Sequence, residues 1–284
     1  MIRRHPFFSG IVLLILLVVA YAVFGYLLGK TPFSRIGVIT IKEEIIDAGS
    51  VLDAIQRAAQ DSSIKALVIK IDSPGGSVAE SQEIYNALLK IRTSRPVVAS
   101  LGSIATSGGY YIACGANKIV ANPGTLTGSI SAVMVFHNMK NLMEKIGIDS
   151  NTIKSGKYKD IGSPLRKMTK EEALILQSLV DDVSDQFITV VAENRNMTKA
   201  SVSMIADGSI FTGRQAQARG LVDELGGLSE SIQLAALLAK ISPETSVVYL
   251  NAEENTFMDY VIGLFSNTME SKTRAFARPK LYYL

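Results

Sequence analysis

The chain has no tryptophan, a single cysteine and only two histidines in 284 residues. One cysteine excludes an intramolecular disulfide and any multi-cysteine metal centre. Cys114, set among apolar neighbours in "YYIACG", reads as a small buried hydrophobe. His5 and His137 cannot furnish a histidine-rich zinc site, and no metal or organic cofactor is expected. Charge is also sparse: 19% of residues are charged, the net charge is +3, and no block of Lys and Arg interleaves with aromatics, so nucleic acid is not an expected partner. Neither G-x-x-x-x-G-K-[ST] nor G-x-G-x-x-G occurs, which leaves nucleotide binding without its usual loop. Internal repeats and low-complexity stretches are absent as well.

What is abundant is apolar surface. A hydrophobic content of 48% is enough for one sizeable core and too high for a disordered chain. An uncharged apolar run extends from Ile11 to Leu28, preceded by Arg3 and Arg4 and followed by Lys30. At about 1.5 Å per residue it reaches about 27 Å, close to the hydrocarbon thickness of a bilayer. The run predicts a transmembrane signal-anchor helix over 10–29, with 1–9 on the cytoplasmic side and everything after a linker at 30–35 across the membrane. A cleaved signal peptide is the alternative, and no small-x-small cleavage site follows the run.

From residue 36 to about 241 the chain alternates apolar runs with helical patterns. Strands are expected at 37–41, 66–71, 96–101, 118–123 and 131–136, apolar throughout as befits strands covered on both faces. Helices are expected near 49–60, 78–92, 107–114 and 138–146, which makes this an α/β pattern. "SVAE" (77–80) and "TKEE" (169–172) read as capping boxes, the second opening a long helix to about Asn194 with Leu176, Val180, Val183, Phe187 and Val191 on one stripe. Beyond 242 an extension carries a strand-like "SVVYLN", an amphipathic "FMDYVIGLF" and a basic, aromatic "RAFARPKLYYL", suited to a partner protomer or a membrane surface.

Two Gly pairs sit where an apolar strand meets a helix: "IDSPGGSVAE" and "ATSGGYYIA". Glycine permits close backbone approach, and a helix N-terminus offers unpaired N–H donors with a favourable dipole. Two such turns side by side form an oxyanion hole if the N–H of Gly108 and that of Gly75 or Gly76 converge beside Ser107, the candidate nucleophile. No histidine is well placed to activate Ser107: Ala105 breaks the G-x-S-x-G elbow, and His137 lies too early for the usual triad order, reading instead as a structural residue at a strand end. The base must then be Lys, Asp or Glu. A free lysine amine, with a pKa near 10.4, is only about 0.04% neutral at pH 7, so a lysine base demands a dry site with hydroxyl partners and no close carboxylate. The segment "KSGKYKDIGSPLRKMTKEE" supplies Lys154, Lys157, Lys159, Lys167 and Lys170, and residue type alone does not choose among them.

Taken in order, "IDSPGGSV", "ATSGGYYIA", "GTLTGSIS", "KSGKYKDIGSPLRKMTKEE" and "DGSIFTGRQAQARGLVDELGG" resemble the signal peptide peptidase A family in its short single-domain form, a relative of the Clp protease and crotonase superfamily. The resemblance covers about 36–241 and implies a ClpP/crotonase-like α/β fold and a Ser-Lys dyad endopeptidase. It places Ser107 at the nucleophile, Lys159 at the general base, Ser129 at the hydroxyl that holds the lysine, and Gly76 and Gly108 at the oxyanion hole. It further implies no cofactor, signal peptides and other apolar or unfolded segments as substrates, and the extracytoplasmic face of a prokaryotic inner membrane as location. A homo-oligomeric ring is also implied, with the serine from one protomer and the lysine from the next. Asp160, adjacent to the base, would have to point away from it. Rival readings are a soluble crotonase-type acyl-CoA enzyme, a stomatin-cleaving Ser-Lys membrane protease and a noncatalytic membrane scaffold.

Overall fold

Strands that are apolar on both faces need cover on both sides, and that requirement sets the architecture. The computed structural model describes residues 15–20, 34–251 and 282–283. In chain order the elements are β1 (Arg35–Lys42), α1 (Gly49–Gln60), β2 (Ile64–Ser73), β3 (Gly76–Ser77), α2 (Val78–Ile91), β4 (Val97–Thr106) and α3 (Gly108–Ala113). There follow β5 (Lys118–Ala121), β6 (Leu126–Gly128), α4 (Lys140–Lys145), α5 (Lys170–Asn194), α6 (Lys199–Ser203) and β7 (Ile210–Thr212). The last are α7 (Gly213–Ala218), β8 (Glu224–Leu225), α8 (Leu228–Ala239), β9 (Ser246–Tyr249) and β10 (Tyr282–Tyr283).

The main sheet runs β7-β6-β4-β2-β1-β9, with β5 and β8 branching from β4. Its pairings are parallel except β6 with β7. The register sets Val38 against Val68 and Val68 against Val98. Because side chains alternate, Ile36, Val38, Val68 and Val98 face one side, where Ala235 and Ala236 of α8 close over them. Ile39, Ile41, Ile69 and Leu101 face the other, under α1, α2, α3 and α5. There Tyr111 of α3 sits edge-on between Tyr85 of α2 and Phe187 of α5, each ring centroid 5.1 Å away. Edge-to-face contacts of this kind add to simple burial, and they tie the helix that follows Ser107 to two larger helices.

Several expectations hold closely. The helices near 49–60, 78–92 and 107–114 form, as do the strands at 37–41, 66–71, 96–101 and 118–123. Thr169 and Glu172 make the reciprocal capping box, and Val183, Phe187 and Val191 form the buried stripe of α5. Others are corrected. Residues 131–136 form no strand: the stretch alternates in exposure, with Val133, Val135 and then His137 exposed, and no named strand pairs with it among the described residues. His137 is therefore not at a strand end. "SVAE" makes no capping box, because Ser77 belongs to β3 and the Glu80 carboxylate accepts from the backbone N–H of Ala48 (2.9 Å) instead. No helix among the described residues is long and apolar enough to cross a membrane. The span expected at 10–29 lies outside the described residues except for 15–20, which is helical. The expected amphipathic segment near 257–265 and most of the aromatic tail also lie outside them.

Phe187 is fully buried and joins α5 to α3. Phe187→Ala is expected to destabilise the domain by about 3–5 kcal/mol, read as a lowered midpoint in urea unfolding.

Candidate active site

β4 ends at Thr106 and α3 begins at Gly108, leaving Ser107 alone to turn the chain. Its backbone takes φ 54°, ψ −118°, a conformation that L-residues rarely adopt. Such strain costs of order 1–3 kcal/mol and persists only where the surroundings over-determine it. Here they do. The N–H of Ser107 donates to the carbonyl of Gly128 (2.8 Å), and its carbonyl accepts from the N–H of Tyr111 (2.8 Å). On either side, the hydroxyl of Thr106 donates to the Pro74 carbonyl (2.9 Å) and that of Thr127 to the Ala105 carbonyl (2.7 Å). The Ser107 side chain is fully buried, and its Oγ has no hydrogen-bond partner among the described residues. A buried hydroxyl left unpaired is costly, and sites where it is tolerated call for a functional reason.

The two glycine turns meet at this serine. Ile45 lies beside β3, its N–H donating to the Gly75 carbonyl (2.8 Å) and its carbonyl accepting from Ser77 N–H (2.7 Å). That clamp leaves no room for a side chain at Gly76, where a Cβ would stand 2.3 Å from the Ile45 oxygen at φ +155°. A Cβ on Gly108 would fall 2.6 Å from Ser81 Oγ and 3.3 Å from Gly76 N. The bare backbones of Gly76 and Gly108 therefore come together next to Ser107, at the N-terminus of α3. Ser129 is buried and also holds a positive φ of 53°, one residue past the carbonyl that fixes Ser107. Its N–H donates to the Ser209 carbonyl (2.8 Å). Ser107, Gly76, Gly108 and Ser129 thus form one cluster.

Lys159 makes no hydrogen bond to the Ser107 hydroxyl. It is exposed, in a turn closed by its N–H donating to the Gly156 carbonyl (3.1 Å), and its amine is in no ion pair among the described residues. The neighbouring carboxylate is fully committed elsewhere. Asp160 pairs with Lys154 and accepts from Arg166 Nε (2.8 Å) and Nη2 (2.9 Å), while Arg166 also donates to Glu172. The guanidinium, with Lys154 second, holds the Asp160 carboxyl well below its usual range. Arg166, helped by the Thr169 N–H, brings Glu172 down to about 2. The same loop is anchored at its far side by Met139 N–H donating to the Pro164 carbonyl (2.7 Å). Arg166 was not singled out from sequence. The only hint was the even six-residue spacing Asp160, Arg166, Glu172 leading into a capping box.

No group of His, Cys, Asp and Glu among the described residues could hold a metal ion. Burial pushes the Cys114 thiol up to about 12, which removes it as a nucleophile. The hydroxyl of its neighbour Tyr110 donates to the Leu221 carbonyl (2.8 Å). His137 is exposed and outside the cluster.

Comparison with known proteins gives the family. The peptidase family S49 model matches residues 90–242, and the Clp protease model matches 32–127. A putative protease of Synechocystis is 47% identical over 195 residues, covering 69% of this chain and 70% of that protein. A putative signal peptide peptidase SppA of Enterococcus faecium is 36% identical, covering 70% of this chain and 58% of the relative. Protease 4 of Salmonella typhi is 34% identical, covering 85% of this chain but only 41% of its own length. The chain thus spans little over half of the second relative and less than half of the third. Among solved structures, a membrane-bound stomatin-specific protease superposes with a TM-score of 0.51 at 18% identity, over 78% of this chain and 99% of that one. The likeness is one of fold, and with the Clp match it makes the architecture ClpP-like.

Two outcomes follow from the geometry. Ser107→Gly removes both the positive-φ strain and the unpaired hydroxyl, and is expected to stabilise the domain by about 1–2 kcal/mol in urea unfolding. The Arg166 ion pairs stabilise the folded loop only while the carboxylates are charged. Their folded pKa values are depressed, so the contribution is present above the unfolded values near 4 and is lost as the pH falls towards 2. The urea midpoint of the wild-type chain should therefore exceed that of Arg166→Met at pH 6, and the two should converge between pH 4 and 2.

Proposed function

The chain belongs to peptidase family S49 and is a serine peptidase; on that premise we propose that Ser107 is the nucleophile and that Lys159 of a neighbouring copy is its general base. The observation that carries the reading is the Ser107 hydroxyl: buried, without a partner among the described residues, and held on a strained turn beside the Gly76 and Gly108 backbones. The lysine amine, neutral in a site that excludes water, takes the hydroxyl proton as Oγ attacks the peptide carbonyl carbon. The N–H groups of Gly76 and Gly108 receive the oxyanion of the tetrahedral intermediate. As the C–N bond breaks, the ammonium returns that proton to the leaving amine. Water, deprotonated by the same amine, then attacks the acyl carbon, and as its bond to Ser107 Oγ breaks the ammonium gives that proton to Oγ, restoring the hydroxyl and the neutral amine. Ser129 donates or accepts at the amine and fixes its position. The clamp on Asp160 suits this role, since a carboxylate already neutralised by Arg166 and Lys154 does not hold a nearby ammonium in its charged form.

Sharing the dyad between copies fits the exposure of Lys159 and of the apolar side chains that precede its loop in the chain. Val135, Leu142, Ile146, Ile148 and Ile153, from the 131–153 stretch leading into the lysine loop, are all exposed in the single chain. Such a patch on a soluble domain calls for a protein partner, and a head-to-tail contact that closes into a ring would cover it.

For substrate and location, we propose a protease anchored by the apolar run at 10–29, with the domain 36–241 on the extracytoplasmic side of a prokaryotic membrane, acting on signal peptides left in the bilayer. The likeness to the Enterococcus putative signal peptide peptidase supports this reading. So does its physical economy, since a short tether concentrates the site where apolar fragments remain.

Ser107→Ala and Lys159→Ala should each lower peptide hydrolysis by at least about 100-fold. Mixed in equal amounts and allowed to reassemble, they should regain up to about a quarter of wild-type activity, the share of sites pairing an intact serine with an intact lysine in a closed head-to-tail ring. No recovery from a mixture shown to exchange subunits would refute the shared dyad.

A further inference from the structure

The two glycine turns beside Ser107 follow β2 and β4, and the ladder between those strands stops short of them. Its last pair is Ser73 with Ala105, reached after a register shift where Asp72 Oδ1 accepts from the Ile104 N–H (3.1 Å). Pro74 comes next and has no N–H with which to extend it. From here two buried hydroxyls connect the turns. That of Thr106 donates to the Pro74 carbonyl (2.9 Å), tying the residue before Ser107 to the residue before Gly75. That of Ser81, on the first turn of α2, donates to the Ser77 carbonyl (2.9 Å), and its oxygen fills the place a Gly108 side chain would take. The Cβ that Gly108 lacks would stand 2.6 Å from this oxygen and 3.3 Å from the Gly76 nitrogen. Helix stability gives no reason for a serine at 81: back-bonding to the i−4 carbonyl is slightly unfavourable, and alanine is the better helix former.

We propose that Thr106 and Ser81 are positioning residues of the oxyanion hole, two struts that set the spacing between the Gly76 and Gly108 N–H groups. The inference rests on the reading of Ser107 as nucleophile with those N–H groups as oxyanion donors, and adds what holds the donors together. The two donors belong to turns from different strands, so nothing in either turn alone fixes their separation. Thr106 sets it from the strand side, through Pro74, and Ser81 from the helix side, by standing against Gly108. Neither hydroxyl bonds the Ser107 oxygen, which has no partner among the described residues. The struts therefore act on the donors and not on the nucleophile. Losing one oxyanion donor outright costs about 10²–10³ in kcat, so a donor that is loosened but kept costs a part of that, about tenfold. The loss falls on kcat because these hydrogen bonds are made to the oxyanion of the transition state and not to the bound substrate.

The test uses the full chain and follows hydrolysis of a fluorogenic peptide together with inhibition by a leucine-terminated peptide aldehyde. Ser107 Oγ adds to the aldehyde carbon, its proton passes to the lysine amine, and the former carbonyl oxygen becomes the oxyanion that the two N–H groups hold. Thr106→Val, which keeps the shape and drops the hydroxyl, and Ser81→Ala are each expected to lower kcat about tenfold with KM within about twofold. Each should raise Ki for the aldehyde by the factor that kcat loses. Thr106→Ser, which keeps the hydroxyl, should hold kcat within about twofold of wild type. Because the struts sit on β4 and α2, whichever variant keeps a folded urea transition reads the outcome. Unchanged kcat in the folded variants, a loss of kcat with Ki unmoved, or an equal loss in Thr106→Ser overturns the proposal. Failure of the nucleophile assignment is told apart, since Ser107→Ala would then keep both hydrolysis and aldehyde affinity.

Discussion

The whole site depends on one backbone constraint: Ser107 must make a turn that L-residues resist, in the single position between the last residue of β4 and the first of α3. An unstrained serine there would either continue the strand or begin the helix, and in both cases its hydroxyl would leave the neighbourhood of Gly76. The conformation is held from three directions, by the Gly128 carbonyl, by the Tyr111 N–H and by the threonines on either side, none of which touches the hydroxyl itself. Rigidity is thereby separated from chemistry. The serine oxygen is positioned without being consumed in the hydrogen bonds that position it.

The rest of the fold can be seen as support for that turn. The edge-to-face rings of Tyr85, Tyr111 and Phe187 fix α3 against larger helices, so the N-terminal N–H groups of α3 keep their direction. Parallel strands bring β2 and β4 to the same edge, which is why the two glycine turns that follow them can meet. The lysine loop is organised by its own ion pairs, with Arg166 drawing Asp160 and Glu172 together.

Much of this was legible in the chain. Apolar runs with two-sided cover announced the parallel sheet, and the paired glycines after two of those runs announced the turns, because only residues without a Cβ fit where Gly76 lies against Ile45. The strained serine was less visible. Without a glycine two residues before it, "ATSGG" does not look like an elbow, and tertiary hydrogen bonds enforce the shape instead. The segment 131–136 failed for a related reason. Its apolar composition suits a strand, but a strand is a run of pairings, and among the described residues 131–136 show no more than an isolated bridge at Val133. Glu80 misled because a carboxylate at the third helical position serves an N-cap only if nothing nearer competes, and the Ala48 N–H does. The Arg166 network showed only as the even spacing of Asp160, Arg166 and Glu172, and the placement of Tyr282–Tyr283 not at all, since charge pairing across a loop and strand addition between distant segments leave no helix or strand period in the sequence.

The outer flank of β1 carries a further implication. It is closed by β9, and the backbone of Thr40 exchanges hydrogen bonds with the Asn251 side chain, 211 positions later. At a synthesis rate of about 5–20 residues per second, the first strand to emerge waits roughly 10–40 s for its neighbour. Throughout that interval it is an unprotected ribbon of Ile and Val with its polar groups unsatisfied, the form most prone to pair with the wrong chain. That edge of the sheet therefore closes only after β9 has been synthesised.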